Sequence, residues 1–572
     1  MAAPVRLALR EDASGATPKD RAAWAQAHGT HPVVPALLGA RGVPPDRWLE
    51  VFRPRLAALR PPNTMADFEE ALDLTADAVL RGRRVGIFGD YDVDGVTTTA
   101  ILAETFEAAG LPVVIEVADR RSGYGFGVER ARAMVEAGVR LVVTGDCGTS
   151  DVEALSYLRD AGVSTVVVDH HQVPKTRPPA DALLNPHQPE CGFPFKGMCS
   201  AGVAFYLAAA LRTRLAPRGI SLPDPRGLLD LVALGTICDM VPLVEENRIL
   251  ARYGLDLLAA RKRPGLRTLL SVAGLEEDVP LGGDDVGYRI GPRLNAPGRL
   301  GSARPALEVL RARSDVEAQG CVDQVEAANA QRRALSERIE AEAVARAEAA
   351  VAERPDRSAL VLADATWHPG LVGIVAGRLA ESYGRPCAVL SVDRAEGRAT
   401  GSVRSFGGVD VRAALQACAD HLVRFGGHRD AAGLTVAIER LATFASAFEA
   451  AVAAARSDDE EARTRREFDG PIALPYVDGP LIEAIDALGP YGVGFPEPCF
   501  LVEDARVVSS RVVGGRHVRL RLAQGAAERD AIAFGMADAG LARGRRIDAL
   551  VVPSFNYYRG RREIQLRIVE LL

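Results

Sequence analysis

The stretch Gly89-Asp-Tyr-Asp-Val-Asp-Gly-Val-Thr-Thr-Thr99 places three aspartates, Asp90, Asp92 and Asp94, at alternate positions and follows them with a glycine. Carboxylates crowded into one loop repel one another unless a cation joins them. The spacing D-x-D-x-D-G opens a calcium-binding EF-hand loop, which needs a bidentate glutamate at its twelfth position and a helix before it. Here the twelfth residue is Ile101, and the lead-in Arg84-Val-Gly-Ile-Phe88 is a short β-branched and aromatic run that reads as a buried strand. Strand, acidic loop and then a helix expected over 96–109 make the first unit of an α/β fold.

The pattern recurs down the chain. Arg140-Leu-Val-Val-Thr144 leads into Gly145-Asp146-Cys147-Gly148, with a helix expected from about Val152. Ser164-Thr-Val-Val-Val168 leads into Asp169-His170-His171, and Leu228-Leu-Asp-Leu-Val-Ala-Leu234 leads through Gly235 to Asp239. Ligands of parallel α/β sheets bind outside the carboxyl ends of the strands. Four segments thus deliver carboxylates and imidazoles to one edge. A single aspartate after a strand is most simply a helix N-cap, but four acidic segments in this order outrun that explanation. Oxygen-rich sites with one or two imidazoles suit Mn²⁺ or Mg²⁺. Two such ions about 3.5–4 Å apart hydrolyse phosphate esters by activating water and stabilising the leaving oxygen.

The rest of the chain frames this site. At 572 residues several domains are expected. Residues 1–75, with Pro-rich punctuation, read as a helical N-terminal extension, and 76–310 alternate strand and helix as a parallel sheet requires. Residues 321–354 contain neither Gly nor Pro and are rich in Ala, Glu and Arg, so a long connector helix is expected within 311–355. A smaller α/β segment follows over 356–456, then a charged linker. Short apolar runs at 506–508, 518–522, 549–552 and 564–568 suggest a β-barrel over 468–572.

Hydrophobic residues make up 48% and charged residues 25%, as in ordinary globular proteins, and no apolar run approaches a membrane span. The N-terminus lacks the apolar core of a secretory signal. Eight scattered cysteines without a C-x-x-C pair fit free thiols in a reducing cytoplasm. Cys147 and Cys238, beside acidic motif residues, read as packing residues. The net charge of −6 does not announce a nucleic-acid binder, although it averages over local patches.

With GDYDVDGVT (89–97), TGDCGT (144–149), VVVDHH (166–171) and DLVALGTICDMVPL (230–243) in order, the chain resembles the DHH phosphoesterase family, most closely its exonucleases specific for single-stranded DNA. IGPRLNAPGRLG (290–301), TWHPGLVGIVAGRL (366–379), GSVRS (401–405) and FGGHRDAAG (425–433) extend the likeness into a substrate-binding DHHA1 domain. GPYGVGFPEPCF (489–500) resembles the start of an oligonucleotide-binding (OB) barrel. The resemblance implies Asp92, Asp94, Asp146, His170 and Asp239 as metal ligands, with Asp90 in the same cluster. His171 would ligate metal or touch the scissile phosphate. Ser402, Arg404 and His428 would hold a phosphate, and Arg293, Asn295 and Arg299 are further phosphate contacts. The family carries an arginine shortly before Gly-Tyr-Gly that contacts the 5′ end; here Arg120 or Arg121 fills that place. Gly145 stands where many members have an apolar residue, which alters the backbone and not the ligand set. Trp367 and His368 face either the substrate or the core.

The metal site alone says phosphoester hydrolysis. The last hundred residues tilt the reading towards a polymer, because OB barrels bind single strands by a basic groove and stacking aromatics. Arg519, Arg521, Tyr557 and Arg559 are the candidates there, amid further arginines at 506, 511, 516, 561 and 562 and aromatics at 555 and 558. The expected activity is a two-metal (Mn²⁺ or Mg²⁺) 5′→3′ exonuclease releasing mononucleotides from single-stranded DNA in repair and recombination. Polarity and the preference for DNA come from the resemblance, as do a monomer and a helicase or single-strand-binding protein as candidate partners. A short-oligonucleotide or cyclic-dinucleotide phosphodiesterase and a non-catalytic single-strand-binding scaffold are the alternatives.

Overall fold

The computed structural model describes residues 6–120, 125–277, 279–455, 465–558 and 561–572. The chain divides into two compact units. Of the described residues, the larger comprises those within 7–298, 302–323 and 466–572, and the smaller comprises residue 6 and those within 299–301 and 324–465.

In the larger unit, five strands form an all-parallel sheet in the order Val113–Val117, Val85–Gly89, Leu141–Gly145, Ser164–Val168, Ala182–Leu184. Val85–Gly89 and Leu141–Gly145 are buried throughout, as central strands covered on both faces must be. In chain order the first strand lies between the second and the third, so the winding reverses at the gap between Val85–Gly89 and Leu141–Gly145. Such a switch point is where these sheets bind ligands.

Two expectations need correction. The helix after the first strand spans Val93–Ala108, beginning three residues before the expected start, because Asp92 caps it: the Gly95 amide donates to Asp92 Oδ1 at 3.0 Å. The run before Asp239 is not a strand end but the helix Leu229–Cys238, and Asp239 is its C-cap. Eight of that helix's ten residues are apolar or glycine and nearly all are buried, which leaves no polar face to reveal its period.

The same unit holds a closed barrel of strands Phe500–Val513, His517–Gln524, Ala527–Ala533, Arg561–Leu571 and Arg546–Tyr558, in that order around the wall. Its core is shared with the N-terminal helices: Val34, Leu37, Leu38, Trp48 and Phe52 pack in one cluster with Val502, Leu520, Val551 and Ile568. The N-terminal segment is thus part of the barrel's packing.

The smaller unit carries a mixed sheet, Arg424–Gly427, Ala431–Ala437, Arg398–Arg404, Cys387–Asp393 and Leu360–Asp364. The long helix runs over Asp315–Glu353, 39 residues. Ile339, Ala343 and Ala347 from its second half pack against Trp367, Val375 and Leu379.

Candidate active site

The three strand ends at the switch point are in register, Gly89 opposite Gly145 and Gly145 opposite Val168. The ladder continues one residue further. The Asp90 amide donates to Gly145 O at 3.1 Å, Asp146 to Val168 O at 2.9 Å and Asp169 to Leu184 O at 3.0 Å. Three aspartates therefore leave neighbouring strands at one level. Gly145 makes room for the adjacent helix: a Cβ there would fall 2.7 Å from Thr98 Cγ2.

The Val93–Ala108 helix adds Asp94 in its first turn, and the Ser200–Leu215 helix points its N-terminus at it. The amides of Ser200 and Ala201 donate to Asp94 at 2.7 and 3.0 Å, and Ser200 Oγ donates to Asp146 Oδ1 at 3.1 Å. His170 Nε2 lies 3.3 Å from Asp146 Oδ1, 3.4 Å from Asp239 Oδ2 and 3.9 Å from Asp94 Oδ2. Ligand atoms fall within 4.8 Å of one another in three groups: Asp90, Asp92 and Asp146; Asp94, His170 and Asp239; and Asp146, His170 and His171. The structure thus brings together Asp90, Asp92, Asp94, Asp146, His170, His171 and Asp239.

Burial and mutual repulsion raise the pKa of these acids. Burial, then Asp92, pushes Asp90 to about 8. Burial, then Asp94 and Asp92, pushes Asp239 to about 9. Asp94 and Asp146 rise for the same cause, burial first. Burial also lowers His170, keeping its imidazole neutral, the form that ligates a metal. Asp90 Oδ1 and His170 Nε2 are buried and make no hydrogen bond among the described residues. Unpaired buried lone pairs in a carboxylate cluster fit hard divalent cations with oxygen and imidazole ligands.

Asp169 has a different task. Burial would raise it, but hydrogen bonds from His171 and Thr149 outweigh that and hold it below the usual carboxylate range. It accepts from the amides of Thr149, His170 and His171 and lies 2.7 Å from His171 Nδ1. Burial would lower His171, but Asp169 outweighs it and raises the imidazole to about 9. Asp169 as the anchor of His171, and Ser200 as the donor to Asp146, are roles that sequence reasoning missed. Asp169 was in plain view inside its motif; nothing local marks Ser200, 54 residues from its partner. Cys147 is buried and Cys238 half-buried, and burial raises both thiols, as packing residues require.

The helix Gly291–Leu300 edges the cluster. A Cβ at Gly291 would fall 2.6 Å from Cys238 Sγ, next to Asp239, and one at Gly298 would fall 2.3 Å from Tyr91 O, between Asp90 and Asp92. Arg293 and Asn295, half-buried, lie on the stretch between these contacts, and Arg299 in the last turn. Arg120 donates to Gly298 O at 3.2 Å and stacks on the Tyr91 ring, 4.1 Å from its centroid. Arg121 lies outside the described residues.

In the smaller unit, Ser402 and Arg404 share the strand Arg398–Arg404, and Arg404 donates to Ser402 Oγ and to Val403 O at 3.0 Å. Burial lowers its guanidinium, and among the described residues no carboxylate lies within ion-pair distance of it. Gly373, in the first turn of the Val372–Tyr383 helix, adjoins both: a Cβ there would lie 3.0 Å from Arg404 Nη2 and 3.3 Å from Ser402 Oγ. His428 is exposed in the turn before Ala431–Ala437, whose Ala431 faces Arg404. Trp367 is core: it is 1% exposed and its Nε1 donates to Glu342 at 2.8 Å.

On the barrel, Arg519 and Arg521 are exposed but ion-paired to the next strand, with Asp530 at 3.2 Å and Glu528 at 2.8 Å. Arg511 stands opposite Arg519 in the hairpin register. Tyr557 is half-buried beside Phe555, with ring centroids 6.3 Å apart, and Arg562 stacks on Phe555 at 4.0 Å. Arg559 lies outside the described residues.

Three family models match the chain: the DHH family N-terminal domain over residues 84–236, the DHHA1 domain over 356–454 and the RecJ OB domain over 468–570. The chain is 34% identical to the single-stranded-DNA-specific exonuclease RecJ of Haemophilus influenzae, covering 94% of this chain and 96% of that protein. It is 33% identical to the RecJ of Bacillus subtilis, covering 94% and 67%. A crystal structure of RecJ in complex with Mn²⁺ from Thermus thermophilus superposes with a TM-score of 0.82 at 31% identity, over 99% of this chain and 79% of that one.

Proposed function

The chain belongs to the RecJ family of single-stranded-DNA-specific exonucleases, and from that premise we propose that it hydrolyses single-stranded DNA 5′→3′ to mononucleotides, in repair and recombination. The observation that carries the reading is the cluster at the switch point, where Asp90 Oδ1 and His170 Nε2 lie buried among Asp92, Asp94, Asp146 and Asp239 and make no hydrogen bond among the described residues.

Asp90, Asp92 and Asp146 would hold one divalent ion and Asp94, His170 and Asp239 a second. Mn²⁺ or Mg²⁺, when bound, supplies the Lewis acidity that polarises a phosphodiester and lowers the pKa of water. The chain's own residues do the rest. The helix amides of Ser200 and Ala201 fix Asp94, and Ser200 Oγ fixes Asp146. His171, oriented by its Nδ1 contact with Asp169, would contact the scissile phosphate. Arg120, held on Tyr91, would take the 5′ end. Arg293, Asn295 and Arg299 would steer the backbone, and Arg404, Ser402 and His428 would bind a phosphate, where a guanidinium without a carboxylate partner suits an anion. Among the described residues no helix is long and apolar enough to cross a membrane; a cytoplasmic monomer that meets a helicase or single-strand-binding protein is the matching cellular picture.

A competition assay with Mn²⁺ tests the reading, offering long single-stranded DNA and a dinucleotide at equal concentration of ends. Preferential loss of the long strand is expected. Preferential loss of the dinucleotide would make the protein a short-oligonucleotide phosphodiesterase instead.

A further inference from the structure

Six non-glycine residues among those described hold a positive φ: Asp67, Asp146, Met240, Glu245, Arg261 and Asp504. This backbone is unfavourable for an L-residue and persists where something compensates. In five of them the fold engages the side chain. Asp67 accepts from the Leu183 amide at 2.9 Å and Asp146 from Ser200 Oγ. Glu245 pairs with Arg47 at 2.9 Å, Arg261 donates to Leu275 O at 2.7 Å, and Asp504 pairs with Arg546. Met240 is 69% exposed.

Met240 directly follows Asp239 and closes the Leu229–Cys238 helix, its amide donating to Ile237 O at 3.3 Å. Glycine or asparagine ordinarily fills such a left-handed helix end. A methionine here costs the fold stability and gains little burial in return. Nearby, Tyr288 is 77% exposed on the π-helical turn Asp285–Ile290, and isolated π turns gather at functional sites. The end of that turn meets the same place, since Gly291 abuts Cys238. Met240 lies two residues from one side of the contact and Tyr288 three from the other.

We propose that Met240 touches substrate: its thioether packs on the nucleobase of the nucleotide at the Asp239 edge of the metal site, and Tyr288 extends the apolar surface towards the neighbouring base. The inference rests on the single-stranded-DNA reading and deepens it. An unbranched, polarisable side chain accepts the face of any base, so the contact is sequence-tolerant. It rewards only unstacked bases, whose faces a duplex conceals, and so favours a single strand.

The test crosses enzyme variants with substrates. kcat/KM is measured with Mn²⁺ on intact single-stranded DNA and on strands with a tetrahydrofuran abasic residue at the first or second nucleotide from the 5′ end. Wild type is expected to lose roughly three- to tenfold on one of the abasic strands. Met240→Gly and Met240→Asn should lose a similar factor on intact DNA and nothing further on that abasic strand, while their thermal midpoints stay level or rise because the left-handed strain is relieved. Tyr288→Ser should show the same loss for the neighbouring nucleotide. Variants that keep the wild-type preference for a base, or that lose activity equally on all strands, overturn the proposal. Wild type inactive on intact DNA would sink the functional reading and this inference together, whereas active wild type with an unchanged base preference in the variants sinks the Met240 role alone.

Discussion

Replacing Asp146 by asparagine should make the metal-free protein more stable and the enzyme inactive. Asp146 is 1% exposed, with its pKa raised by burial and then by Asp92, Asp94, Asp90 and Asp239. Its ligand atom lies within 4.8 Å of those of Asp90 and Asp92. Two ionised carboxylates at that distance repel by roughly 3 kcal/mol at an effective dielectric of 20. Protons taken up by the cluster reduce what neutralisation recovers, so a gain of about 1–3 kcal/mol is expected at pH 8. The sign follows from linkage. Below about pH 4 the carboxyl is protonated in both folded and unfolded chains and costs nothing. As pH rises the unfolded chain releases the proton first, so the apo fold loses stability. The variant lacks that slope, and its advantage should vanish towards pH 4. Mn²⁺ should reverse the ranking, because an ion at 100 times its Kd stabilises a site by about 2.7 kcal/mol. Loss of a ligand worth several kcal/mol in the transition state should cut kcat on the order of 10³-fold. Calorimetry in EDTA and in Mn²⁺ at pH 5 and 8, with nuclease assays alongside, measures all of this. A variant less stable than wild type in EDTA at pH 8, or one stabilised by Mn²⁺ as strongly as wild type, would refute the reasoning.

Other residues give separate readouts. Asp169→Asn, which disturbs the acceptor holding His171 Nδ1, should lower activity roughly 10–100-fold; an undiminished kcat would remove Asp169 from the account. Arg404→Gln should raise KM for single-stranded DNA by about ten- to a hundredfold, the worth of a charge-assisted bond, and an unchanged KM would argue for a structural arginine. On the barrel, Arg519 and Arg521 already have carboxylate partners, so Arg511→Ala should reduce the salt slope of binding by nearly one unit and Arg519→Ala by less; the reverse order in a salt titration would place the phosphate path elsewhere.

Asp90, Asp146 and the Asp169–His171 motif were legible because each follows a short β-branched run that only a buried strand explains, and the structure puts all three at one level of one sheet. Asp239 was found for the right position and the wrong element, since a helix buried on every side shows no period. The third barrel strand, Ala527–Ala533, went unseen because Ala-Glu-Arg-Asp-Ala-Ile-Ala carries one β-branched residue. Ser200 reaches Asp146 across 54 residues of sequence, a contact that no local pattern encodes, whereas Asp169 anchors His171 from within the same motif. The ion pairs of Arg519 and Arg521 arise from register across the hairpin, so the arginine count overstated the free positive charge on that face.

The most direct measurement uses one single-stranded oligonucleotide labelled at its 5′ end or at its 3′ end, incubated with Mn²⁺ and either wild type or Asp146→Asn. Wild type releasing the 5′ label at once as a mononucleotide while the 3′ label persists in shortening strands, with both labels left on full-length DNA by Asp146→Asn, is the predicted result. Early loss of the 3′ label as a mononucleotide would contradict the polarity, and equal degradation by Asp146→Asn would contradict the metal cluster itself.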